Sequence, residues 1–135
     1  MNDGFTFKKQ ERIVSQKTID QLFSGSSSHS MAAFPVRAVY MLTTAPGQQA
    51  RLQILISVPK RHFKHAVDRN RVKRQVREAF RLHKQLLTST LTPGRQLAIA
   101  FIWQAGHHLP TSEVEKRIAS LMHRIAQKAA PPLNS

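Results

Sequence analysis

Residues 60–84 hold the side chains in this chain that are best suited to a chemical role. Ten of them are Lys or Arg and only Asp68 and Glu78 are acidic, so the segment carries a net charge of +8. Guanidinium and ammonium groups bind phosphate oxygens, and the planar guanidinium fork does so in a bidentate way. A balanced Glu and Lys surface would be explained by solvation alone, but here the self-repulsion is uncancelled. The segment therefore predicts a polyanionic partner.

Side chains for hydrolytic catalysis are sparse by comparison. The acidic residues are scattered along the chain: Asp3, Glu11, Asp20, Asp68, Glu78, Glu113 and Glu115. A metal-dependent nuclease needs several carboxylates that converge on divalent ions. Asp68 is expected to cap a helix, and Glu113 and Glu115 fall in the first turn of another, where the helix dipole favours acids. We therefore expect no catalytic residue in the protein.

Four histidines lie in two pairs, His62 with His65 and His107 with His108. Structural zinc sites commonly combine His with Cys, and this chain has no Cys. We interpret these imidazoles as solvated or phosphate-contacting groups, and we expect the protein alone to bind no metal and no cofactor. Neither a Gly-rich phosphate loop nor a nucleophile elbow is found in the sequence. Any reaction in which the protein takes part is thus expected to be catalysed elsewhere.

The basic segment has the periodicity of an amphipathic helix. At about 100° per residue its apolar residues gather on one side: Val72, Val76, Ala79, Phe80, His83, Leu86 and Leu87. The polar and basic residues gather on the other: Asn70, Lys73, Arg74, Arg77, Arg81 and Lys84. The apolar stripe spans about four turns, which is enough to hold a helix against a sheet. This helix is predicted both to pack in the core and to present cations.

Composition places the whole chain in one class. A length of 135 residues predicts one domain, 1–135, in which we expect 1–11 and 129–135 to be flexible. The net charge of +14 and a pI near 11.6 point to nucleic acid or an anionic membrane surface. The absence of Cys excludes a disulfide scaffold, and neither a signal peptide nor a membrane span is apparent. A cytoplasmic protein without an obligate protein partner is the expectation.

A short helix is predicted over residues 16–24. Ser15 is its expected N-cap, Val14 and Ile19 form a hydrophobic staple, and Gly25 ends it. The helix presents Ile19, Leu22 and Phe23 at adjoining positions. Either two of them suffice for the core and an aromatic edge remains for a ligand, or all three are buried.

Two β-branched and aromatic runs, 36–43 and 51–58, are separated by turn residues and predict an antiparallel hairpin. In the first run, Tyr40 alternates onto the face opposite Arg37. Residues 28–33 are expected to add a short edge strand.

The last part of the chain predicts a central strand and a closing helix. The strand 96–103 is continuously apolar, and its position after the basic helix implies a parallel crossover. Ser112 and Glu115 are expected to form a capping box at the start of the closing helix. The fold class predicted is α/β (α+β): a two-layer sandwich with a mixed sheet of about four strands and helices packed mainly on one face.

Residues 56–61, Ile-Ser-Val-Pro-Lys-Arg, and 69–81, which open with Arg-Asn-Arg and a Lys-Arg pair, resemble the protein subunit of bacterial ribonuclease P. The similarity covers residues 56–81 well and extends more loosely to 12–42 and to the last strand and helix. It implies a left-handed crossover between the strands at 51–58 and 96–103, against the usual right-handed preference. It also implies a subunit that assists a catalytic RNA in removing the 5′ leader from precursor tRNA, with the chemistry done by Mg²⁺ held by that RNA.

The resemblance assigns two binding surfaces. Contacts with the RNA subunit are implied for residues in and before the basic helix: Lys60, Arg61, Arg69, Asn70, Arg71, Lys73, Arg74 and Arg77. A cleft between the first helix and the sheet, which would hold the single-stranded leader, is implied for Ile19, Phe23 and Tyr40. An aromatic ring that stacks on a base contributes about 1–3 kcal/mol without demanding sequence, as a variable leader requires.

Three other functions remain open on the sequence alone. A ribosome-associated protein or general RNA chaperone would share the charge but would lack assembly with one specific RNA. A membrane-surface helix would bind anionic vesicles, but the apolar stripe lacks Trp and is better explained by packing on the sheet. A protein-only nuclease would cleave RNA without an RNA partner.

Overall fold

The structure is a computed structural model that describes residues 16–25, 28–44, 46–47 and 50–129. Its elements in chain order are α1 (Gln16–Ser24), β1 (His29–Ala33), β2 (Val36–Thr44), β3 (Arg51–Ser57), α2 (Ala66–His83), α3 (Gln85–Thr88), β4 (Arg95–Trp103) and α4 (Thr111–Ala129). Each predicted strand and helix is present within one or two residues of its expected bounds, except that the basic helix begins earlier, at Ala66, and is followed by the short α3. The predicted cap Ser15 and the ends 1–11 and 130–135 lie outside the described residues.

The four strands form one mixed sheet in the order β1-β2-β4-β3. β4 occupies a central position, where it pairs antiparallel with β2 and parallel with β3. Its residues Leu97 to Phe101 are all buried, as its continuous apolar composition predicts for a strand covered on both faces. The predicted edge strand, β1, pairs antiparallel with β2. The predictions of a central strand and of a parallel crossover are therefore confirmed.

The predicted hairpin between the second and third strands is wrong. β2 and β3 are consecutive in sequence, but β4 lies between them and pairs with both. Their composition identifies them as strands, whereas strand pairing is decided by packing across the whole sheet. The only hairpin neighbour of β2 among the described strands is β1, through a turn at Phe34 and Pro35.

The two faces of the sheet carry different helices. On one face α2, α3 and α4 enclose the main core, whose largest buried side chains include Trp103, Phe80 and Phe101. On the other face α1 packs a smaller cluster, in which Leu22 contacts the side of the sheet that carries Val39 and Ala98. Three helices on one face and one on the other agree with the predicted two-layer α+β sandwich.

Two predicted helix caps are wrong. The N-cap of α2 is His65, not Asp68, which lies in the first turn and directs its carboxylate to His108. At α4 the backbone N–H groups of Glu113 and Val114 donate to the carbonyl of Pro110, so the helix begins before Ser112. The carboxylate of Glu115 contacts His83 Nε2 at 2.9 Å instead of closing a capping box. In both places a predicted capping carboxylate is instead paired with a histidine that is distant in sequence.

Two further expectations at helix ends are corrected. Lys84 was predicted on the exposed basic side, yet only 3% of it is exposed. It follows Phe80 by four residues and so falls at the margin of the apolar stripe, where the long stem of a lysine is readily covered. Ala129 was expected in a flexible tail, but it is the last residue of α4 and is buried.

Candidate RNA interface

The basic surface is formed by the loop after β3 and the outer side of α2. We define it by those of the predicted residues that expose a cation or amide there: Lys60, Arg61, Asn70, Arg71, Lys73, Arg74 and Arg77. Of these, Lys73 and Arg77 are partly covered, because they flank the apolar stripe, and the other five are exposed. The structure thus brings together seven of the eight residues predicted for RNA contact, on one continuous stretch of loop and helix.

Packing fixes the orientation of this surface. Val72, Val76 and Phe80 are buried on the sheet side of α2. Gln75 is also buried, and its Nε2 donates to the carbonyl of Leu109 at 3.1 Å and to Thr111 Oγ1 at 3.0 Å. The amide therefore ties α2 to the start of α4. A helix held from its inner side in this way presents its outer cations as a rigid array.

The one acid on the outer side of α2 is paired locally. Arg81 donates from both Nε and Nη2 to the carboxylate of Glu78, and the Nε to Oε2 distance is 3.1 Å. These hydrogen bonds hold the pKa of Glu78 below its usual value. Glu78 thus stays ionised and partnered with Arg81, one helical turn after Arg74. Cations remain in excess on this side of α2, because Glu78 is its one acid.

Arg69, the eighth predicted residue, points elsewhere. Its Nη1 donates to the backbone carbonyls of Phe63, at 2.8 Å, and Lys64, at 3.0 Å. The reason is visible in the sequence, because Arg69 precedes Val72 by three residues and Val76 by seven and so lies on their side of the helix. The prediction that grouped Arg69 with the other cations did not take its position around the helix into account.

His108 was expected to be solvated or to contact phosphate, and the structure corrects this. Its ring stacks on that of Phe63, with the centroids 4.6 Å apart, and its Nε2 lies 3.0 Å from Asp68 Oδ1. In the part of the chain that the structure describes, no group of three or more His, Cys, Asp or Glu side chains could hold a metal ion.

A second candidate surface lies beside α1, on the opposite face of the sheet from α2. Leu22 is fully buried, Ile19 is partly covered, and Phe23 is 50% exposed. Of the two alternatives for this helix, the structure therefore shows the one in which an aromatic edge remains free. Next to α1 is a cavity of about 120 Å³ lined mainly by polar side chains and one cation, among them Thr18, Gln21, Arg51, Gln53 and Gln96.

Sequence reasoning had not identified the residues that line this cavity. Arg51 and Gln53 alternate with buried Leu52 and Ile54 along β3, which signals an exposed face. The signal could not be used, because the sequence did not show that α1 covers that face.

Tyr40 does not join Ile19 and Phe23. It alternates onto the face of β2 that packs against α2 and α4, is 6% exposed, and has His29 as an aromatic neighbour with the ring centroids 5.4 Å apart. Burial raises the pKa of its phenol above 10.0. The sheet therefore separates Tyr40 from α1, and the predicted three-residue cleft is reduced to Ile19 and Phe23.

An arginine-rich helix on one face of an open α+β sheet, with a polar cavity and an exposed aromatic ring on the other, is the arrangement expected of a nucleic-acid-binding protein. None of the helices in the described ranges is long and apolar enough to cross a membrane. Residues 7–126 match the Ribonuclease P family model. The chain therefore belongs to the ribonuclease P protein family, whose members act as the protein subunit of ribonuclease P in tRNA processing, as the resemblance of residues 56–81 predicted.

Relatives of similar length support this membership. The ribonuclease P protein component of Porphyromonas gingivalis is 35% identical over 123 residues, which cover 90% of this chain and 88% of the relative. That of Chlorobium phaeobacteroides is 30% identical over 128 residues, covering 89% and 88%.

Two solved structures share the fold. The RNase P protein of Thermotoga maritima superposes with a TM-score of 0.62 at 19% identity and covers 84% of this chain and 96% of its own. The Staphylococcus aureus RNase P protein gives a TM-score of 0.60 at 22% identity, with 88% and 97% covered. The mixed four-stranded sheet with four helices is thus the fold of this family.

Proposed function

We propose that this protein binds the catalytic RNA subunit of ribonuclease P through the basic surface and assists that RNA in cutting the 5′ leader from precursor tRNA. The phosphodiester chemistry is assigned to Mg²⁺ held by the RNA, and the protein supplies positive charge beside the phosphates. The proposal places the protein in the cytoplasm together with its precursor tRNA substrate.

One observation carries the proposal, namely the exposed cations of the basic surface on a helix whose inner side is locked in the core. A rigid array of guanidinium groups suits structured RNA, whose phosphates are also held at fixed spacing. Glu78, the one acid on the outer side of α2, is partnered with Arg81, so the net charge of this side of the helix remains positive. Membership of the ribonuclease P protein family supports the choice of the ribonuclease P RNA as the partner.

For the leader we propose the surface of α1 formed by Ile19 and Phe23, called here the groove beside α1, with Phe23 as its stacking residue. The exposed half of the Phe23 ring offers a surface on which an unpaired base can stack. Such contacts tolerate any leader sequence. The cavity that contains Arg51 is lined by Thr18 and Gln21 of α1 and not by Ile19 or Phe23, so it is not part of this proposal. Tyr40 is not part of this proposal, because it lies across the sheet.

Reconstitution tests the function directly. Precursor tRNA is incubated with the protein alone, with the RNA subunit alone, and with both, over a range of Mg²⁺ concentrations. We expect no cleavage by the protein alone and cleavage at lower Mg²⁺ when the protein joins the RNA. Metal-dependent cleavage by RNA-free protein that survives loss of Asp68 and Glu78 would instead indicate a protein-only nuclease.

Substitution of the basic surface separates this proposal from general RNA binding. Arg71→Ala/Arg74→Ala should weaken assembly with the RNA subunit whatever the length of the substrate leader. The matched control is Lys116→Ala/Lys128→Ala, which removes the same charge from exposed positions on α4. Equal weakening by both pairs would mean that only net charge matters, as expected of a general RNA chaperone.

A further inference from the structure

Arg69 belongs by sequence to the Arg-Asn-Arg motif at the start of α2, but its guanidinium is committed to the protein backbone. Nη1 bridges the carbonyls of Phe63 and Lys64, the last residues of the loop that leads into the helix. Arg71, two positions further along the helix and so about 200° around it, is exposed. The two arginines of one motif therefore face in different directions.

A second set of contacts holds the same loop from the other side. The ring of Phe63 is buried and stacks on His108, and the His108 imidazole reaches Asp68 in the first turn of α2. Asp68 and Arg69 are adjacent, so the contacts close a circuit that runs from α2 through the loop and back to α2. Gly106 lies within this packing, since a Cβ added there would be 3.4 Å from the backbone oxygen of His62.

The loop held in this way carries part of the basic surface. Lys60 and Arg61 are exposed on it, between the end of β3 and the start of α2. Cations on a free loop would have to be ordered when RNA binds, whereas cations on a fixed loop meet the RNA already in place. The relative position of loop cations and helix cations thus depends on the contacts that close the loop.

We propose that Arg69 is a positioning residue, which clamps residues 59–65 onto the start of α2 and so holds Lys60 and Arg61 in register with Arg71 and Arg74. It acts on RNA through the loop and not through a phosphate contact of its own. This inference rests on the proposed function and refines it, because it divides the motif into one outward residue and one inward residue.

A double-mutant cycle tests the assignment. Dissociation constants for the RNA subunit of ribonuclease P are measured for Arg69→Gln and Arg71→Gln, each in the natural chain and in a Lys60→Ala/Arg61→Ala background. Each single change is expected to weaken binding by about tenfold in the natural chain. In the background without loop cations, Arg71→Gln should keep its effect to within about twofold, the usual deviation from additivity for independent sites, whereas the effect of Arg69→Gln should itself fall below about twofold.

A second variant keeps charge constant. Phe63→Leu removes the stacking on His108 but no cation, so any loss of RNA affinity must come from the loop. We expect it to weaken binding in the natural chain and to have little effect in the background without loop cations. Both Arg69→Gln and Phe63→Leu should speed hydrogen exchange of the amides at 60–65, and fluorescence of Trp103 checks that each variant is folded.

The outcomes separate this inference from the function on which it rests. If Arg69→Gln weakens binding by the same factor in both backgrounds, Arg69 contacts RNA directly, and if it leaves exchange at 60–65 unchanged, Arg69 does not hold the loop; either result shows that the inference is wrong. If Arg71→Gln has no effect in either background, the proposed RNA surface itself fails.

Discussion

Replacing Phe23 with alanine should reduce the preference for precursor tRNA over mature tRNA and leave assembly with the RNA subunit nearly intact. The cost in stability is set by exposure. A fully buried Phe→Ala change costs about 3–5 kcal/mol, and since half of Phe23 is in solvent we expect about 2 kcal/mol. Leu22→Ala, at a position with no exposure, should cost more, within the range of about 2–5 kcal/mol. Phe23→Ala should therefore still fold.

The effect on binding follows from the exposed half of the ring. Stacking on an aromatic residue contributes about 1–3 kcal/mol per base, and a ring with only one edge free should give about 1–1.5 kcal/mol. That corresponds to a loss of about 5- to 12-fold in the ratio of affinities for precursor and mature tRNA. The assay is competition binding of the reconstituted enzyme, with leaders of several lengths and below the thermal midpoint of the variant.

The chain provides its own control in Phe34. This ring is 65% exposed in the β1–β2 turn, where the Phe34 carbonyl accepts a hydrogen bond from Arg117 of α4, so Phe34→Ala should leave the preference unchanged. If folded Phe23→Ala protein discriminates as well as the natural chain does, or if Phe34→Ala impairs discrimination equally, the groove beside α1 is not the leader site.

Three further predictions concern charge, burial and topology. If the basic surface neutralises about six phosphates, log Kd for the RNA subunit should change with log salt by about 4 per decade on the single-strand scale, and a slope near zero would show a merely solvated surface. Tyr40 is the only Tyr, so absorbance of tyrosinate reports its titration alone. Because the pKa of folded Tyr40 is raised, Tyr40 contributes stability that is present below pH 10 and is lost as the pH rises through the folded pKa. The titration midpoint of Tyr40 in the folded protein should exceed 10.0. A titration midpoint that does not fall when urea unfolds the protein would contradict this burial. Finally, we expect the β3–α2–β4 crossover to be left-handed, and a crystal structure of the RNA complex showing a right-handed one would contradict that.

Local periodicity was enough to predict most of the elements but not their pairing. The apolar stripe of α2 and the continuous apolar run of β4 each reflect burial by the elements around them, so both elements could be predicted from the sequence. The β2–β3 hairpin was inferred from sequence proximity, and the parallel contact of Ile54 with Ile99 joins residues far apart in sequence. Nothing in either local run specifies such a partner.

At the candidate site, the charge of the surface was easier to predict than the direction in which each side chain points. The cations of the basic surface were found by counting, and Arg71 and Arg74 are exposed as expected. Arg69 and Lys84 were counted with them although helical phase places both on or near the apolar side. Tyr40 was misplaced for a related reason, since strand alternation shows which residues share a face but not which face α1 covers.

The central position of β4 also determines when the sheet can close during synthesis. β1 and β2 can pair as soon as both have left the ribosome, because a short turn joins them. β3 pairs with β4, so it has no strand partner from the described chain until residues 95–103 have been made. Over that interval Leu52 and Ile54 belong to an unpaired apolar strand, the kind of segment that promotes aggregation. Of the described strands, β3 therefore waits longest for its first strand partner.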